Sequence, residues 1–346
     1  MTNLVRNISY GNDIIIVDGM WRTGKSLLGP IVGAFEGVQK PKIDYNFEWS
    51  CILHSLGSLS IDDASLMLKL HADLCTHNNY LGREMNFRPK DDSGIFKNPN
   101  KFNNLRRIFI SDGNNIQEEI KAQKPPLMII THSTFQVGEP LVAAYGKRLK
   151  MIVVERNPVF YLEQWAEYLE MIGSDPRELE ITKHDGFVPW FILDIYEDEY
   201  KSGSYMDKSL IMYRSLREMK KNIIAKDIFD SHNLLTIPYE SLVYSPSLWI
   251  EKIGSFLNKS GTGKALKFQK QLNLPRKYLL DGIESSILKE RRKDLSMLEI
   301  ENYNDLKQSI LNQISVESID ELSSYISEYE NSYDFQRLMP WSPRNN

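Results

Sequence analysis

Four short apolar runs predict buried parallel strands, because they are rich in β-branched residues and continuous rather than alternating with polar positions. They are Asp13–Asp18, Leu127–Thr131, Lys150–Glu155 and Leu234–Ile237. Helical patterns lie between these runs. Alternation of strands and helices favours a parallel sheet covered by helices on both faces. We therefore expect an α/β fold with a parallel central sheet flanked by helices.

The spacing of apolar residues predicts three of the helices that follow strands and one further long helix. Helices are expected over Gly24–Phe35, Pro158–Ile172 and Met206–Phe229. After the last strand, Ser245 is a candidate N-cap, and Pro246 suits the first helical position. These helices are the elements expected to cover the sheet.

Three longer stretches lie outside this alternating pattern. Residues 46–126 predict a mostly helical insert, and residues 173–204 are expected to form a surface excursion. Residues 279–334 predict a helical C-terminal extension, and Glu317–Asp334 holds six acidic residues without Lys or Arg, which predicts a solvated helix face. With no repeat or linker, we expect one domain over the whole chain, with its core at about residues 13–260.

Composition narrows the class of protein. The chain has 346 residues, 42 Lys and Arg against 46 Asp and Glu, and a net charge of −4. Its 42% apolar and 25% charged content is typical of a globular protein and excludes disordered, collagen-like and low-complexity chains. A pI near 6.0 provides no basic field, so we expect no nucleic-acid partner bound through bulk phosphate attraction.

The cysteines and the apolar runs indicate the compartment. Cys51 and Cys75 are too few for a disulfide framework and show no metal-ligand spacing, so we expect reduced thiols and no metal. The N-terminus lacks a basic start followed by an apolar stretch, and no apolar run approaches the roughly 18 residues of a membrane span. The expectation is a cytoplasmic protein without a membrane span.

Residues after the first strand match the phosphate-binding loop pattern. Gly19-x-x-x-x-Gly24-Lys25-Ser26 leads from a strand directly into a helix. Small residues there let backbone N–H groups converge on an anion beside the positive end of the helix dipole. Arg22 and Lys25 add full positive charges. The pattern predicts phosphate binding and a P-loop NTPase-like fold, against the alternative of a tight turn with incidental basic residues.

The loop alone does not identify the nucleotide. In ATP- and GTP-binding proteins, Ser26 would bind Mg²⁺ and Lys25 would reach the β- and γ-phosphates. That hypothesis needs a carboxylate at the end of a neighbouring strand, and Glu155 is the candidate. An ATP-dependent kinase using Gly19–Ser26 with Mg²⁺ therefore stays open.

A second candidate anion site follows the third predicted strand. Arg156 precedes Asn157, a good N-cap, and Pro158. Ligands of open α/β sheets bind at the carboxyl edge, where a guanidinium suits a phosphate. Gln164 lies two turns along and offers a neutral donor. The alternative is a local salt bridge between Arg156 and a neighbouring carboxylate such as Glu155. Two anion sites on one edge would imply a ligand with two separated phosphates.

Taken together, these segments resemble the PAPS-dependent sulfotransferases. Trp21–Leu28 is similar to the family's 5′-phosphosulfate loop, and Val153–Pro158 with Gln164 looks like its 3′-phosphate segment. Leu234–Asn258 is closely similar to the family's strand, Tyr-Glu and helix segment, and Gly203–Tyr213 resembles a Gly-Ser-aromatic stretch before a long helix. The resemblance implies a sulfotransferase-like fold and transfer of sulfonate from PAPS to a hydroxyl or amine acceptor, without a metal.

The resemblance also implies roles for individual residues. The catalytic residues would be Arg22, Lys25 and His132, the last in the position of the base. The residues around PAPS would be Arg22, Thr23, Gly24, Lys25, Ser26 and Leu27 at the 5′-phosphosulfate, Arg156 and Gln164 at the 3′-phosphate, and Tyr239 near the adenine. His132 has the alternative of a histidine that satisfies the strand end. Weaker candidates for the base are Glu139 and the pair of His184 and Asp185.

This chain departs from the family pattern in several places. Lys25 stands where Ser or Thr is usual, and Gln164 replaces a hydroxyl residue. The C-terminal phosphate clamp and the dimerisation segment are not recognisable, so Gly261–Lys264 and Arg291–Lys293 are only candidates for the clamp and the oligomeric state is open. A catalytically degenerate nucleotide-binding protein is therefore a further alternative.

The acceptor is the least defined partner. A hydroxylated small molecule or carbohydrate would contact the helical insert and the surface excursion. The aromatic residues expected either to line that site or to belong to the core are Tyr80, Phe87, Trp190 and Phe191.

Overall fold

The computed structural model describes residues 4–83, 85–89, 94–97, 101–107, 109, 114–172, 179–183, 187–260, 262–276 and 299–339. Their strands are β1 (Ile14–Asp18), β2 (Lys42–Ile43), β3 (Leu127–Ile130), β4 (Leu149–Glu155), β5 (Thr182–Lys183), β6 (Val188–Pro189) and β7 (Leu234–Pro238). The central sheet has five strands in the order β2-β3-β1-β4-β7, and every neighbouring pair is parallel. The predicted α/β fold with a parallel central sheet is confirmed.

The four predicted strands form the middle of this sheet and one of its edges. Every residue of β1 is buried, as expected for a strand covered on both faces. The other edge strand, β2, was not predicted, because two residues carry no period. In the register of β1 and β4, Asp18 lies opposite Val153, so the carboxyl ends of these two strands are neighbours.

Helices flank the sheet. The α-helices are α1 (Lys25–Val32), α2 (Tyr45–Ser55), α3 (Ile61–Leu81), α4 (Lys101–Arg107), α5 (Asn114–Gln123), α6 (Glu139–Tyr145), α7 (Leu162–Met171), α8 (Glu197–Ser202), α9 (Tyr205–Ala225), α10 (Tyr239–Tyr244), α11 (Pro246–Leu257), α12 (Thr262–Gln271), α13 (Glu299–Leu311), α14 (Ile319–Ser332) and α15 (Phe335–Leu338). Short 3-10 turns cover Ile95–Lys97, Thr134–Val137, Gly146–Arg148, Pro158–Phe160, Asp194–Tyr196 and Val316–Ser318.

Polar side chains begin several of these helices. Asp44 caps α2 by accepting a hydrogen bond from the Asn46 amide, and Ser60 caps α3 by accepting one from the Asp63 amide. Ser245 occupies the predicted N-cap position of α11, but its side chain makes no capping hydrogen bond. The helix predicted from Pro158 is a 3-10 turn capped by Asn157, and the α-helix starts only at Leu162.

The acidic C-terminal helix was predicted as a solvated face, and this was wrong in part. Along α14, Glu321 pairs with Arg214 and Glu328 pairs with Arg217, both arginines being on α9. At the end of the helix, the Tyr329 hydroxyl donates to Glu240. The acidic run therefore docks on basic residues of a distant helix, which a local count of charges cannot detect.

The predicted surface excursion is also partly internal. Its described part contains the antiparallel pair β5–β6, and the following residues Trp190, Phe191 and Ile192 are buried in the main core. None of the described helices has the length and apolar character needed to cross a bilayer. The cytoplasmic location and the single-domain organisation stay predictions.

Several predicted residues lie outside the described part of the chain. These are His184, Asp185, Gly261, Arg291–Lys293 and residues 279–298 of the C-terminal extension.

Candidate functional site

The turn from β1 into α1 depends on two glycines. Gly19 has φ +146°, and a Cβ there would lie 2.6 Å from the Val154 carbonyl oxygen. Gly24 has φ +108°, and its Cβ would lie 2.2 Å from the Tyr239 ring. Other residues rarely adopt these backbone angles, and side chains at these positions would overlap their neighbours. The helix α1 therefore begins directly after a tight turn, and no side chain caps its N-terminus, a position at which helices bind anions.

The two predicted anion segments meet at one edge of the sheet. Arg156 follows β4 directly, and β4 is the neighbour of β1. The Arg156 Nη1 donates a hydrogen bond of 2.8 Å to the carbonyl oxygen of Arg22 in the loop. A single ligand can therefore contact both segments.

Arg156 is a buried cation with unused hydrogen-bond donors. The residue is only 6% exposed, and its Nε and Nη2 have no hydrogen-bond partner in the part of the chain that the structure describes. The guanidinium lies 4.5 Å from the centroid of the Tyr239 ring and 5.3 Å from that of Phe160. Buried donors without acceptors are costly, so they indicate a binding site for an acceptor group.

A second arginine at this edge was not identified from the sequence. Arg276 donates from Nη1 to the Tyr239 hydroxyl at 3.0 Å, and its buried Nε has no partner among the described residues. Lys264, a candidate for the C-terminal clamp, is exposed on α12 and does not line this cleft. The sequence gives little indication that Arg276 belongs to this site, because the residue is preceded only by a Leu-Pro pair after α12.

The loop lysine is turned back onto its own loop. Lys25 is buried, and its Nζ donates to the carbonyl oxygens of Gly19 at 2.6 Å and Met20 at 2.7 Å. Burial lowers the pKa of Lys25 to about 8, although Asp18 and Glu48 act in the opposite direction. A bound anion would favour the charged form, so binding at this loop should take up protons near pH 8.

Thr23 differs from the other predicted loop residues. Its hydroxyl donates to the Met20 carbonyl oxygen at 2.8 Å, and the residue is buried against a neighbouring cavity. The structure therefore does not bring the Thr23 side chain to the predicted phosphosulfate position. Its role in shaping the turn is the one that the hydrogen bond supports.

His132 lies between two aromatic rings at the end of β3. Its ring is stacked 5.9 Å from Trp21 and 6.0 Å from Tyr45. Its Nδ1 is 3.1 Å from Glu48 Oε1. Burial, helped by Lys25, holds the pKa of His132 well below its usual value, while burial together with Asp18 and Glu180 raises the pKa of Glu48. The imidazole is therefore neutral at pH 7, the state that accepts a proton.

One cleft of about 690 Å³ collects these groups, a size typical of ligand pockets. Predicted residues that line it are Arg22, Gly24, Lys25, Ser26, Leu27, His132, Arg156, Gln164 and Tyr239. Arg276, Trp21 and Tyr168 also line it. Thr23 is the predicted site residue that the structure leaves outside.

The carboxylates at this sheet edge are engaged elsewhere. Asp18 accepts hydrogen bonds from Thr131 at 2.8 Å and from the amides of Thr134 and Phe135. Glu155 is paired with Lys220 and accepts from Tyr333 at 2.7 Å, in a separate cavity of about 180 Å³. The expectation that Glu155 could share a Mg²⁺ ion with Ser26 does not fit, because the two residues line different cavities.

The aromatic residues predicted near the acceptor do not line the cleft. Trp190 and Phe191 belong to the main core, Tyr80 packs in a small separate cluster, and Phe87 is half-exposed away from the cleft. Glu139, a weaker candidate for the base, pairs with Lys226 instead. The cleft's own aromatic wall includes Trp21, which was not among the predicted site residues and whose ring centroid is 4.5 Å from that of Tyr168.

The chain is similar to several solved sulfotransferase structures. Sulfotransferase STF1 from Mycobacterium tuberculosis H37Rv is 14% identical with a TM-score of 0.37, over 82% of this chain and 77% of that one. STF9 from Mycobacterium avium is 13% identical with a TM-score of 0.42, over 93% and 77%. The sulfotransferase domain of the curacin biosynthetic pathway is 12% identical with a TM-score of 0.40, over 74% and 77%.

These similarities concern the fold, and their family is the one that the sequence motifs resemble. No family model matches the chain. The comparison with curated proteins finds no match.

Proposed function

We propose that this chain is a sulfotransferase that binds PAPS in the cleft and transfers its sulfonate to a hydroxyl or amine acceptor. The observation that carries the proposal is the buried guanidinium of Arg156 beside the turn from β1 into α1, with two donors that have no partner among the described residues. This arrangement suits a ligand with anionic groups at two separated points. Arg276 offers a further donor on the same side, which no described residue accepts from.

The polar residues of the cleft hold the two anionic groups of PAPS in this proposal. The amides at the start of α1 and the Arg22 side chain hold the 5′-phosphosulfate, and the Lys25 ammonium adds positive charge from its place against the loop carbonyls. Arg156, Arg276 and Gln164 hold the 3′-phosphate. Preorganised donors at the 5′-phosphosulfate, where charge develops during transfer, typically lower the barrier by roughly 3 kcal/mol each, whereas those at the 3′-phosphate contribute to binding. PAPS supplies an activated sulfonate and a phosphate leaving group.

His132 is the proposed base. With Nδ1 donating to Glu48 Oε1, Nε2 keeps its lone pair for the acceptor proton. As the acceptor oxygen bonds to sulfur, the bond between sulfur and the 5′-phosphate oxygen breaks, and adenosine 3′,5′-bisphosphate leaves. The acceptor proton passes to His132. Trp21 and Tyr45 keep the imidazole ring in its plane.

A titration followed by a transfer assay tests the proposal. Adenosine 3′,5′-bisphosphate should bind in EDTA, more tightly than ATP with Mg²⁺. Labelled PAPS should then pass its sulfonate to at least one member of a panel of phenols, sugars, alcohols and amines. Tighter, Mg²⁺-dependent ATP binding would favour the kinase, and bisphosphate binding without transfer to any acceptor would leave the degenerate binding protein.

A further inference from the structure

Outside the cleft, three residues with metal-binding side chains meet behind the edge strand β2. Asp44 follows β2, while His71 and Cys75 lie one turn apart on α3. His71 Nε2 is 2.9 Å from Asp44 Oδ1, and Cys75 Sγ is 3.5 Å from both Asp44 Oδ2 and His71 Nε2. The spacing between Cys51 and Cys75 could not reveal this cluster, because the partners of Cys75 are a histidine one helical turn away and an aspartate distant in sequence.

The distances within the cluster are close to those between ligand atoms around one zinc ion. With Zn–S near 2.3 Å and Zn–N or Zn–O near 2.05 Å, ligand atoms lie about 3.6 Å apart when sulfur is one of them and about 3.3 Å apart otherwise. Both sulfur distances in the cluster agree with the first value. The nitrogen–oxygen distance is somewhat shorter than the second and involves Asp44 Oδ1, whereas the sulfur lies near Oδ2, so the carboxylate presents a different oxygen to each of the other two ligands. One ligand atom from each residue lies within 4.8 Å of the other two, so small side-chain adjustments bring all three to one ion. The donor set of carboxylate, imidazole and thiolate is one that Zn²⁺ prefers.

Charge balance is also preserved when a metal replaces a lysine. Lys42 Nζ lies 2.8 Å from Asp44 Oδ2 and 3.6 Å from Cys75 Sγ, so its ammonium neutralises the carboxylate. Zn²⁺ would balance the carboxylate and a thiolate, with the thiol proton released to solvent. The Lys42 side chain is 26% exposed and the Asp44 side chain 4%, so the lysine can turn outward while Asp44 stays buried.

We propose that Asp44, His71 and Cys75 form a zinc site, with water from the side of Lys42 as the fourth ligand. Such an ion would tie β2 and the start of α2 to α3. Because α2 carries Tyr45 and Glu48, both in contact with His132, the ion would stabilise one wall of the cleft. The site does not depend on sulfonate transfer, and its test does not use that activity.

The test uses tag-free full-length protein. Dialysed protein is titrated with Co²⁺, read by the thiolate charge-transfer absorption, and with Zn²⁺ against a chromophoric chelator. We expect one equivalent of either metal. Cys75→Ser should abolish the charge-transfer band and weaken Zn²⁺ binding by about 100-fold or more. Cys51→Ser is the matched control, because Cys51 is also buried but lies outside the cluster, and it should keep both signals.

A gain of affinity guards against variants that fail to fold. Lys42→Gln removes the competing ammonium and should tighten Zn²⁺ binding by about fivefold, a change that misfolding would not produce. Absence of a charge-transfer band in the parent protein would overturn the proposal. So would equal losses of metal in Cys51→Ser and Cys75→Ser, or Zn²⁺ binding that is not strengthened by Lys42→Gln.

Discussion

Replacing Arg156 with alanine removes two buried donors that no described residue satisfies. In the free protein, Nε and Nη2 are already desolvated, so a bound phosphate gains their hydrogen bonds without a further desolvation cost at the guanidinium. Hydrogen bonds to charged groups are worth about 1.5 kcal/mol each at the low end, so two give about 3 kcal/mol. The expected effect is about 150-fold weaker binding of adenosine 3′,5′-bisphosphate.

Isothermal titration in EDTA measures this effect, and two further variants define its origin. Arg156→Lys keeps the charge but loses the planar fork, so its loss should be smaller, about tenfold. Arg148→Ala is the matched control, since Arg148 precedes the same strand at its opposite end and donates to the Asn12 carbonyl oxygen. It should bind the bisphosphate as the parent does. A dissociation constant for folded Arg156→Ala within threefold of the parent would refute the reasoning.

Three further perturbations test the cleft. The pKa of Lys25 is about 8, and a bound anion favours the protonated form of this lysine. The affinity for adenosine 3′,5′-bisphosphate should therefore fall about tenfold between pH 7 and pH 9. Titrations of Lys25→Met should show no such fall. His132→Ala should lower kcat for sulfonate transfer by about 100-fold or more while leaving the bisphosphate dissociation constant within twofold; a parallel loss of affinity would contradict the assignment. In Gly24→Ala the new methyl group overlaps the Tyr239 ring, so the free energy of unfolding should fall by about 2 kcal/mol more than in Gly57→Ala. Gly57 is the control because its φ is also positive but nothing lies within 4 Å of a Cβ there. Equal denaturation midpoints for the two variants would show that the overlap costs nothing.

Much of the sheet and part of the cleft could be predicted because their signals are local. Continuous apolar runs marked β1, β3, β4 and β7, and the groups directly after β1 and β4 follow from chain order. Parallel strands place their carboxyl ends on one edge, so Arg22 and Arg156 were expected to come close. The hydrogen bond from Arg156 to the Arg22 carbonyl oxygen agrees with that expectation.

The residues that were missed depend on contacts between distant parts of the chain. Glu48 meets His132 across 84 residues, and Arg214 meets Glu321 across 107. Neither pairing has a spacing that the sequence displays, because each depends on how whole helices pack. Arg276 is similar, since its place in the cleft follows from the path of the chain after α12.

The Tyr239 ring connects the two halves of the cleft. The ring packs so closely against Gly24 that no side chain would fit between them. The Arg156 guanidinium stacks 4.5 Å from the ring centroid, and Arg276 donates a hydrogen bond to the Tyr239 hydroxyl. A ring held from three sides fixes the distance between the turn and the two arginines, so the site is preorganised for a ligand of one length. ATP carries all its phosphates at one end and would leave the Arg156 donors unpaired, a loss that a 3′-phosphate avoids. In the proposed function, this fixed spacing, rather than the sequence of the loop, selects PAPS over ATP despite the ATPase-like Lys25.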